Sequence, residues 1–122
     1  MNGSRTHAAL KFEPRKRLHS PAEFREVRQR GRRFTDVYFS LSVLANRQTQ
    51  PRLGLAISTR IFGGAVARNR IKRILRESFR LNQHGLPAVD VTVVAREAAR
   101  RAAPKELRAS LEKHWKSISV GC

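Results

Sequence analysis

The sequence predicts an α+β fold, a single compact domain in which helices pack on one small sheet. Apolar residues recur along the chain with a period near 3.6, typical of helices, and elsewhere with a period of two, typical of strands. The chain has 122 residues, which is enough for one domain with a modest core and too few to expect two. We expect residues 1–16 to form a basic arm, 17–118 the domain and 119–122 a tail.

The first predicted helix is marked at both ends. Ser20 is a typical N-cap, Pro21 suits the first helical position and Glu23 completes a capping box. Gly31 is a typical C-terminal stop. We therefore expect a short helix between these ends, with Phe24 on its small apolar face.

Two segments with a period of two, 34–45 and 52–58, predict two or three strands, and 88–95 predicts a further one. One face of the first two segments carries Val37, Phe39, Leu41, Val43, Ala45, Leu53, Leu55 and Ile57. The other face carries Tyr38, Ser40, Ser42, Leu44, Arg52, Gly54, Ala56 and Ser58, most of them small or polar. This second face has two interpretations: either a helix packs closely on it or water covers it, or it lines an open groove for a ligand. The sequence does not decide between them.

A loop at 59–67 precedes a basic helix that we expect from about Arg68 to Asn82. On a helical wheel its apolar arc consists of Ile71, Ile74, Leu75, Phe79 and Leu81. The neighbouring arc is almost purely cationic and consists of Arg68, Asn69, Lys72, Arg73, Arg76 and Arg80. A last helix is predicted from Pro104, with Leu107, Leu111 and Trp115 along one side.

The charge of the chain predicts a polyanionic partner. The sequence has 26 Lys and Arg residues against 9 Asp and Glu, for a net charge of +17. Four cations spaced four residues apart on the basic helix repel one another, unless phosphates neutralise them. The candidates are nucleic acid and an anionic membrane surface, and we favour nucleic acid because the apolar face of the basic helix is needed for the core and the arm has few large apolar residues. No apolar run approaches the roughly 20 residues of a span, and the first residues lack the apolar segment of a signal peptide.

Catalytic and metal sites are not predicted in this chain. The few carboxylates form no recognisable pair, and the single cysteine, Cys122, excludes an internal disulfide. The histidines, His7, His19, His84 and His114, show no ligand spacing, so we expect surface or capping positions for them. Helix-turn-helix, zinc-finger and leucine-heptad patterns are also not found, and charge alone does not decide between DNA and RNA.

The order of three motifs, "RLG", "ARNRIKRILRESFR" and "DVTVVAR", resembles the protein subunit of bacterial ribonuclease P. The most specific of these matches is "RNRIKR" at Arg68–Arg73. The resemblance implies an α-β-β-β-α-β-α domain with a left-handed βαβ crossover. It also implies a cytosolic ribonucleoprotein whose catalytic RNA removes the 5′ leader of precursor tRNA. Mg²⁺ would be held mainly by the RNA and the substrate, and the protein would strengthen substrate and metal binding.

The resemblance also implies two RNA-binding surfaces on the chain. The catalytic RNA subunit would contact Arg68, Asn69, Arg70, Lys72 and Arg73, to which the cationic arc adds Arg76 and Arg80. The leader would lie in a cleft that we expect to include Arg17, Phe24, Arg28, Tyr38, Ser42 and Arg60.

The chain departs from the family pattern in the leader cleft. Arg28 and Ser42 stand where the family often has aromatic residues, so we expect more electrostatic leader binding, with Tyr38 as a substitute stacking residue. Phe24 and Tyr38 also fit ordinary core or sheet packing. No obligate protein partner is predicted. The alternative function is a basic ribosomal protein or an RNA chaperone.

Overall fold

A computed structural model describes residues 17–18 and 20–121 of the chain. Its elements are α1 (Pro21–Arg30), β1 (Arg32–Thr35), β2 (Phe39–Ala45), β3 (Arg52–Ala56), α2 (Thr59–Phe62), α3 (Ala65–Asn82), β4 (Val89–Ala95) and α4 (Pro104–Gly121). Two 3₁₀ turns, Gln83–Gly85 and Glu97–Arg100, flank β4. The α+β prediction is confirmed, with the four-residue α2 as an addition to the expected order. The predicted arm at 1–16, His19 and Cys122 lie outside the described residues.

The four strands form one sheet in the order β1-β2-β4-β3. β2 pairs antiparallel with both β1 and β4, and β3 pairs parallel with β4. Because β3 and β4 are parallel neighbours, α2 and α3 form the crossover of a βαβ unit between them. The presence of this crossover is confirmed, whereas its left-handedness stays an expectation from the resemblance.

The main core includes one face of the sheet together with α3 and α4. Its large, fully buried side chains include Phe39, Leu41, Leu75, Phe79, Leu107, Leu111 and Ile118. Phe79 and Trp115 meet edge to face with ring centroids 5.9 Å apart, and Trp115 Nε1 donates to Ser78 Oγ at 2.8 Å. The basic helix is therefore held rigidly along one flank.

Helix α1 packs on the opposite face of the sheet, against β2 and β4. The predicted ends of α1 are confirmed, since Ser20 Oγ accepts from the Glu23 N–H at 3.1 Å and Gly31 ends the helix. A Cβ on Gly31 would lie 2.9 Å from the backbone nitrogen and oxygen of Val43 on β2, so only glycine permits this close approach to the sheet.

A hairpin turn interrupts the segment that was predicted to alternate from 34 to 45. The Asp36 carboxylate accepts from the N–H groups of Tyr38 and Phe39, each at 2.8 Å, which reverses the chain between β1 and β2. The alternation places Val37 on the same face as Phe39 and Leu41, and this assignment is wrong, because Val37 lies at the turn and is 60% exposed.

The helices also differ from their predicted bounds. Ser58 Oγ caps α2 inside the predicted loop, and α3 begins at Ala65. The core assignment of Leu81 is wrong: the side chain is 60% exposed in the last turn of α3, since a helical wheel gives its direction and not the extent of the surface that covers it. α4 runs three residues past the predicted domain end at 118. None of the helices in the described ranges is long and apolar enough to cross a membrane.

Candidate nucleic-acid interface

Helix α3 presents cationic side chains beside its buried flank. Seven residues were predicted to contact the RNA subunit. Of these, Asn69, Arg70 and Arg73 are exposed, and Arg68, Lys72, Arg76 and Arg80 are half-buried. The buried flank consists of Ile71, Ile74, Leu75, Ser78 and Phe79. Because the apolar residues are held in the core, the helix can present its cations to a partner without exposing apolar surface.

The cations of α3 have almost no acidic partners. In the part of the chain that the structure describes, their one ion pair joins Arg80 Nη2 and Glu77 Oε2, 4.0 Å apart. Burial lowers the pKa of Arg76, and the positive charge of Arg17 lowers this pKa further. Like charges are thus held close together, and an anion placed between them would relieve the repulsion.

A notch separates α3 from the outer edge of β3. This cavity of about 190 Å³ is lined by Arg17, Leu18, Leu53, Gly54, Leu55, Lys72 and Arg76. The Leu18 N–H donates to the Leu53 carbonyl oxygen at 3.1 Å, which fixes the backbone beside Arg17 against β3. Arg17, predicted to lie in the leader cleft, therefore lines the border between α3 and the neighbouring groove.

A larger groove of about 910 Å³ lies between α1 and β3. It is lined by Leu18, Ser20, Pro21, Phe24, Arg25, Arg28, Gln29, Arg33, Gly54, Leu55 and Ala56. Phe24 and Arg28 line it together, as predicted, and both are half-buried. The exposed Arg25 and Arg33 add two cations, and Arg33 Nη2 donates to the Arg28 carbonyl oxygen at 3.3 Å. One aromatic ring among three arginines suits a nucleotide base and its flanking phosphates.

Gly54 allows Phe24 to lie directly on the sheet. A Cβ at Gly54 would lie 2.8 Å from Leu18 Cδ1 and 3.0 Å from Phe24 Cδ2. Leu18, Gly54 and Leu55 line both the groove and the notch, so the two depressions adjoin. A nucleic acid in the groove would therefore lie close to the cations of α3.

Helix α1 covers one part of the small-residue face and leaves another part accessible. Ser42 and its neighbour Thr92 are each 1% exposed. The prediction that Ser42 lines an open cleft is wrong, because this residue is buried on the face where α1 packs. The next set of paired residues across the strands, toward the β1–β2 turn, consists of Ser40, Val94 and Ala56, and all three are only half-buried. Helix α1 thus covers the face at Ser42, whereas at the next set of paired residues only Ala56 lines the groove, and ligand binding there stays a prediction.

Tyr38 and Arg60, also predicted for the leader cleft, lie beyond one end of the groove rather than along its walls. The Tyr38 carbonyl oxygen accepts from the Arg96 N–H at 2.8 Å, at the end of the sheet where β3 and β4 finish. Arg60 is exposed on α2, which follows β3 at the same end. The half-buried Tyr38 ring packs against the core and edge to face with Phe39.

A buried ion pair beneath α1 was missed by the sequence analysis. Arg52 donates to both carboxylate oxygens of Asp90, at 2.9 and 2.8 Å, and these bonds raise the pKa of Arg52. Asn46 Nδ2 also donates to Asp90 Oδ1 at 2.8 Å, and Arg52 Nη1 lies 3.4 Å from Glu23 Oε2 on α1. The pair therefore links α1 to the sheet. Only the register of β3 against β4 reveals it, because the two residues are far apart in sequence.

A second polar cluster joins the hairpin turn to α4. The Ser110 hydroxyl donates to Asp36 Oδ2, and His114 Nε2 lies 3.1 Å from the same oxygen. The surface position predicted for His114 is wrong, since its residue is 7% exposed. Burial alone would raise the pKa of Asp36, but the bonds from Ser110, Phe39 and Tyr38 lower it overall. Because serine and histidine both face the carboxylate, the cluster has a structural arrangement rather than that of a nucleophile and its base.

No three His, Cys, Asp or Glu side chains come together as a metal site among residues 17–18 and 20–121. Mg²⁺ prefers carboxylate, phosphate and water oxygens. The described residues offer no such cluster, so they do not fit a protein-bound Mg²⁺ and no metal step is assigned to them.

Comparisons with known proteins identify the family. The family model "Ribonuclease P" matches residues 12–119. The ribonuclease P protein component of Methylococcus capsulatus is 43% identical over 106 residues, which cover 87% of this chain and 83% of the relative. The solved RNase P protein of Staphylococcus aureus superposes with a TM-score of 0.78 at 30% identity, covering 85% of this chain and 94% of that one. The RNase P protein of Thermotoga maritima gives a TM-score of 0.75 at 29% identity, covering 84% and 96%.

Proposed function

The chain belongs to the ribonuclease P protein family, and from this premise we propose that it assists a catalytic RNA in removing the 5′ leader of precursor tRNA. Its partners are that RNA subunit and the precursor tRNA, and it acts in the bacterial cytosol. The proposal rests on two adjacent surfaces. One is the groove between α1 and β3, and the other is the cationic flank of α3, which consists of Arg68, Asn69, Lys72, Arg73, Arg76 and Arg80.

The cationic flank of α3 is suited to the RNA subunit. Its cations have one acidic partner among the described residues, and its exposed arginines provide planar donor pairs for phosphate oxygens. Bound phosphates would neutralise the row and release counterions from the RNA. The packed opposite flank holds the helix backbone in place, so binding does not require the helix itself to become ordered.

The groove is suited to a single-stranded leader. Phe24 offers a ring for one base, and Arg25, Arg28 and Arg33 offer charge for the phosphates on either side. Stacking on an aromatic side chain tolerates any base, as a subunit that handles many precursors requires. The missing second aromatic at position 28 shifts part of the leader affinity from stacking to charge.

The contribution of this chain to catalysis is binding and orientation. Among the described residues no three His, Cys, Asp or Glu side chains could hold a metal ion, and the half-buried Asp36 carboxylate is held by Ser110 and by the N–H groups of Tyr38 and Phe39. The chemistry of hydrolysis, with its Mg²⁺, is therefore assigned to the RNA subunit and the substrate. By holding the leader, the protein would strengthen substrate binding and lower the concentration of Mg²⁺ that the reaction needs.

The test is reconstitution with the ribonuclease P RNA of the same organism. Precursor tRNA is incubated at low Mg²⁺ with the RNA alone, with the protein alone and with both. We expect cleavage at the mature 5′ end only when both are present, because the protein compensates for scarce Mg²⁺. Co-purification of ribosomal subunits, with no stimulation of cleavage, would instead support the ribosomal-protein alternative.

A further inference from the structure

A third basic surface lies at the end of the sheet, outside both the groove and the cationic flank of α3. Residues 96–103, the segment between β4 and α4, contain three basic residues, Arg96, Arg100 and Arg101, and one acidic residue, Glu97. Arg100 and Arg101 are both exposed there. The 3₁₀ turn Glu97–Arg100 packs against α2, whose exposed Arg60 is a further cation on this side.

The backbone that carries the cations of this turn is anchored on both sides. Ala99 is completely buried and Ala102 is 8% exposed, so the two arginines stand between two anchored residues. The Ala99 N–H donates to the Arg96 carbonyl oxygen at 3.0 Å, which closes the turn. Charges that serve only solubility do not need such anchoring, whereas preorganised charges lose less entropy when they bind.

The acidic side chains of the described ranges leave this surface unneutralised. Neither Arg100 nor Arg101 forms an ion pair or a side-chain hydrogen bond within those ranges. Glu97 is exposed in the same turn, but Arg100 and Arg101 follow it as two adjacent cations, whereas on α4 Glu112 stands directly beside Lys113. Two adjacent exposed cations that form no ion pair in the described ranges favour contact with a polyanion.

The position of the turn identifies which polyanion it meets. α2 is followed directly by Gly63 and Gly64, which lead into the first turn of α3. The turn therefore borders the same end of α3 that carries Arg68 and Asn69. The RNA that binds α3 is therefore the expected occupant, because α2 joins the turn to the start of α3 and none of residues 96–101 lines the groove.

We propose that Arg100 and Arg101, held on the turn beside α2, bind backbone phosphates of the RNA subunit and extend the α3 interface around the end of the sheet. The inference rests on the proposed binding of that RNA through α3. The contact is with phosphates rather than bases, since the two exposed arginines lie on a surface without a pocket for a base among the cavities described above.

The test measures assembly of the full-length protein with the ribonuclease P RNA as a function of salt. The variant R100S/R101S is compared with the wild type and with K113S/K116S, which removes the same charge from the mixed face of α4. We expect R100S/R101S to weaken assembly several-fold and to flatten the log–log salt slope by about 1.5, because two contacts are lost. The K113S/K116S control should leave the slope unchanged.

Further variants make the outcomes distinguishable. R100K/R101K should retain the wild-type slope, since it keeps both charges, and melting temperatures should show that all variants fold. Equal effects of R100S/R101S and K113S/K116S would overturn the inference. A loss seen only in the binding of precursor tRNA to the preformed holoenzyme would overturn it too, since the turn would then contact substrate. If R73S on α3 also leaves assembly unchanged, the proposed function itself fails.

Discussion

Replacing Phe24 by alanine should reduce leader binding through loss of stacking. The ring is half-buried on Gly54 and lines the groove, so it has one face on the protein and one available to a base. Stacking on such a ring contributes about 1–3 kcal/mol, which corresponds to roughly 5- to 150-fold in affinity. Because the ring also packs on Gly54 of the sheet, we expect a smaller loss of folding stability, about 1–2 kcal/mol for a half-buried aromatic.

Arg28, one turn further along α1, gives a matched comparison in the same groove. Its replacement by alanine removes a charge and no ring, so we expect a loss of about 1 kcal/mol and a weaker salt dependence. The assay is binding of the holoenzyme to precursor tRNAs with leaders of different length. Both losses should appear with leaders of several nucleotides and vanish with mature tRNA.

Thermal stability provides the control for Phe24. A Phe24→Ala protein that melts much earlier, yet binds long and short leaders with the wild-type ratio of affinities, would refute the stacking role. Phe24 would then be a packing residue only, and Tyr38 at the end of the sheet would be the next residue to test.

Three further predictions concern α3 and the polar clusters around Asp90 and Asp36. With roughly six phosphate contacts, the log–log salt slope of RNA binding should be on the order of −4 to −5. Arg73→Ala should make this slope shallower by about one unit. A wild-type slope near zero would show that the cations of α3 are merely solvated. Arg52→Met should lower the free energy of unfolding by about 3 kcal/mol or more in urea titrations, because Asp90 then stays buried without its partner, and an unchanged midpoint would contradict this. Asp36 has a pKa below its ordinary 3.8, so its contribution to stability is complete above pH 3.8 and is lost as the pH falls through the lowered pKa. Asp36→Asn should therefore melt earlier at neutral pH and lose less stability on acidification, whereas parallel melting curves across that range would argue against the cluster.

Local patterns were sufficient for much of the fold. Ser20, Pro21 and Gly31 predict the ends of α1 because capping depends on neighbouring residues alone. The same holds for the buried flank of α3, where helical spacing predicts Ile71 and Phe79. These signals need no knowledge of which elements touch.

Features that depend on long-range contacts could not be predicted in this way. The exposure of Ser42 depends on where α1 crosses the sheet, and alternation along a strand does not reveal that position. The Asp36 turn is an exception, because its carboxylate accepts from N–H groups only two and three residues further on, and it was missed because Val37 keeps the alternating pattern. The Asp90 ion pair required the strand order. Sequence motifs predicted the candidate surfaces, and the tertiary arrangement determines which side chains reach them.

The most direct test of two adjacent RNA surfaces is site-specific crosslinking in the assembled holoenzyme. Cys122 is the single cysteine of the chain, so Cys122→Ser gives a background for placing a photoreactive thiol probe. Gln29→Cys would carry the probe on the wall of the groove, and Asn69→Cys would carry it on the exposed start of α3. We predict that the probe at 29 reacts with the 5′ leader of precursor tRNA and the probe at 69 with the RNA subunit. Crosslinks from both positions to the same RNA segment, or an exchange of the two targets, would contradict the account.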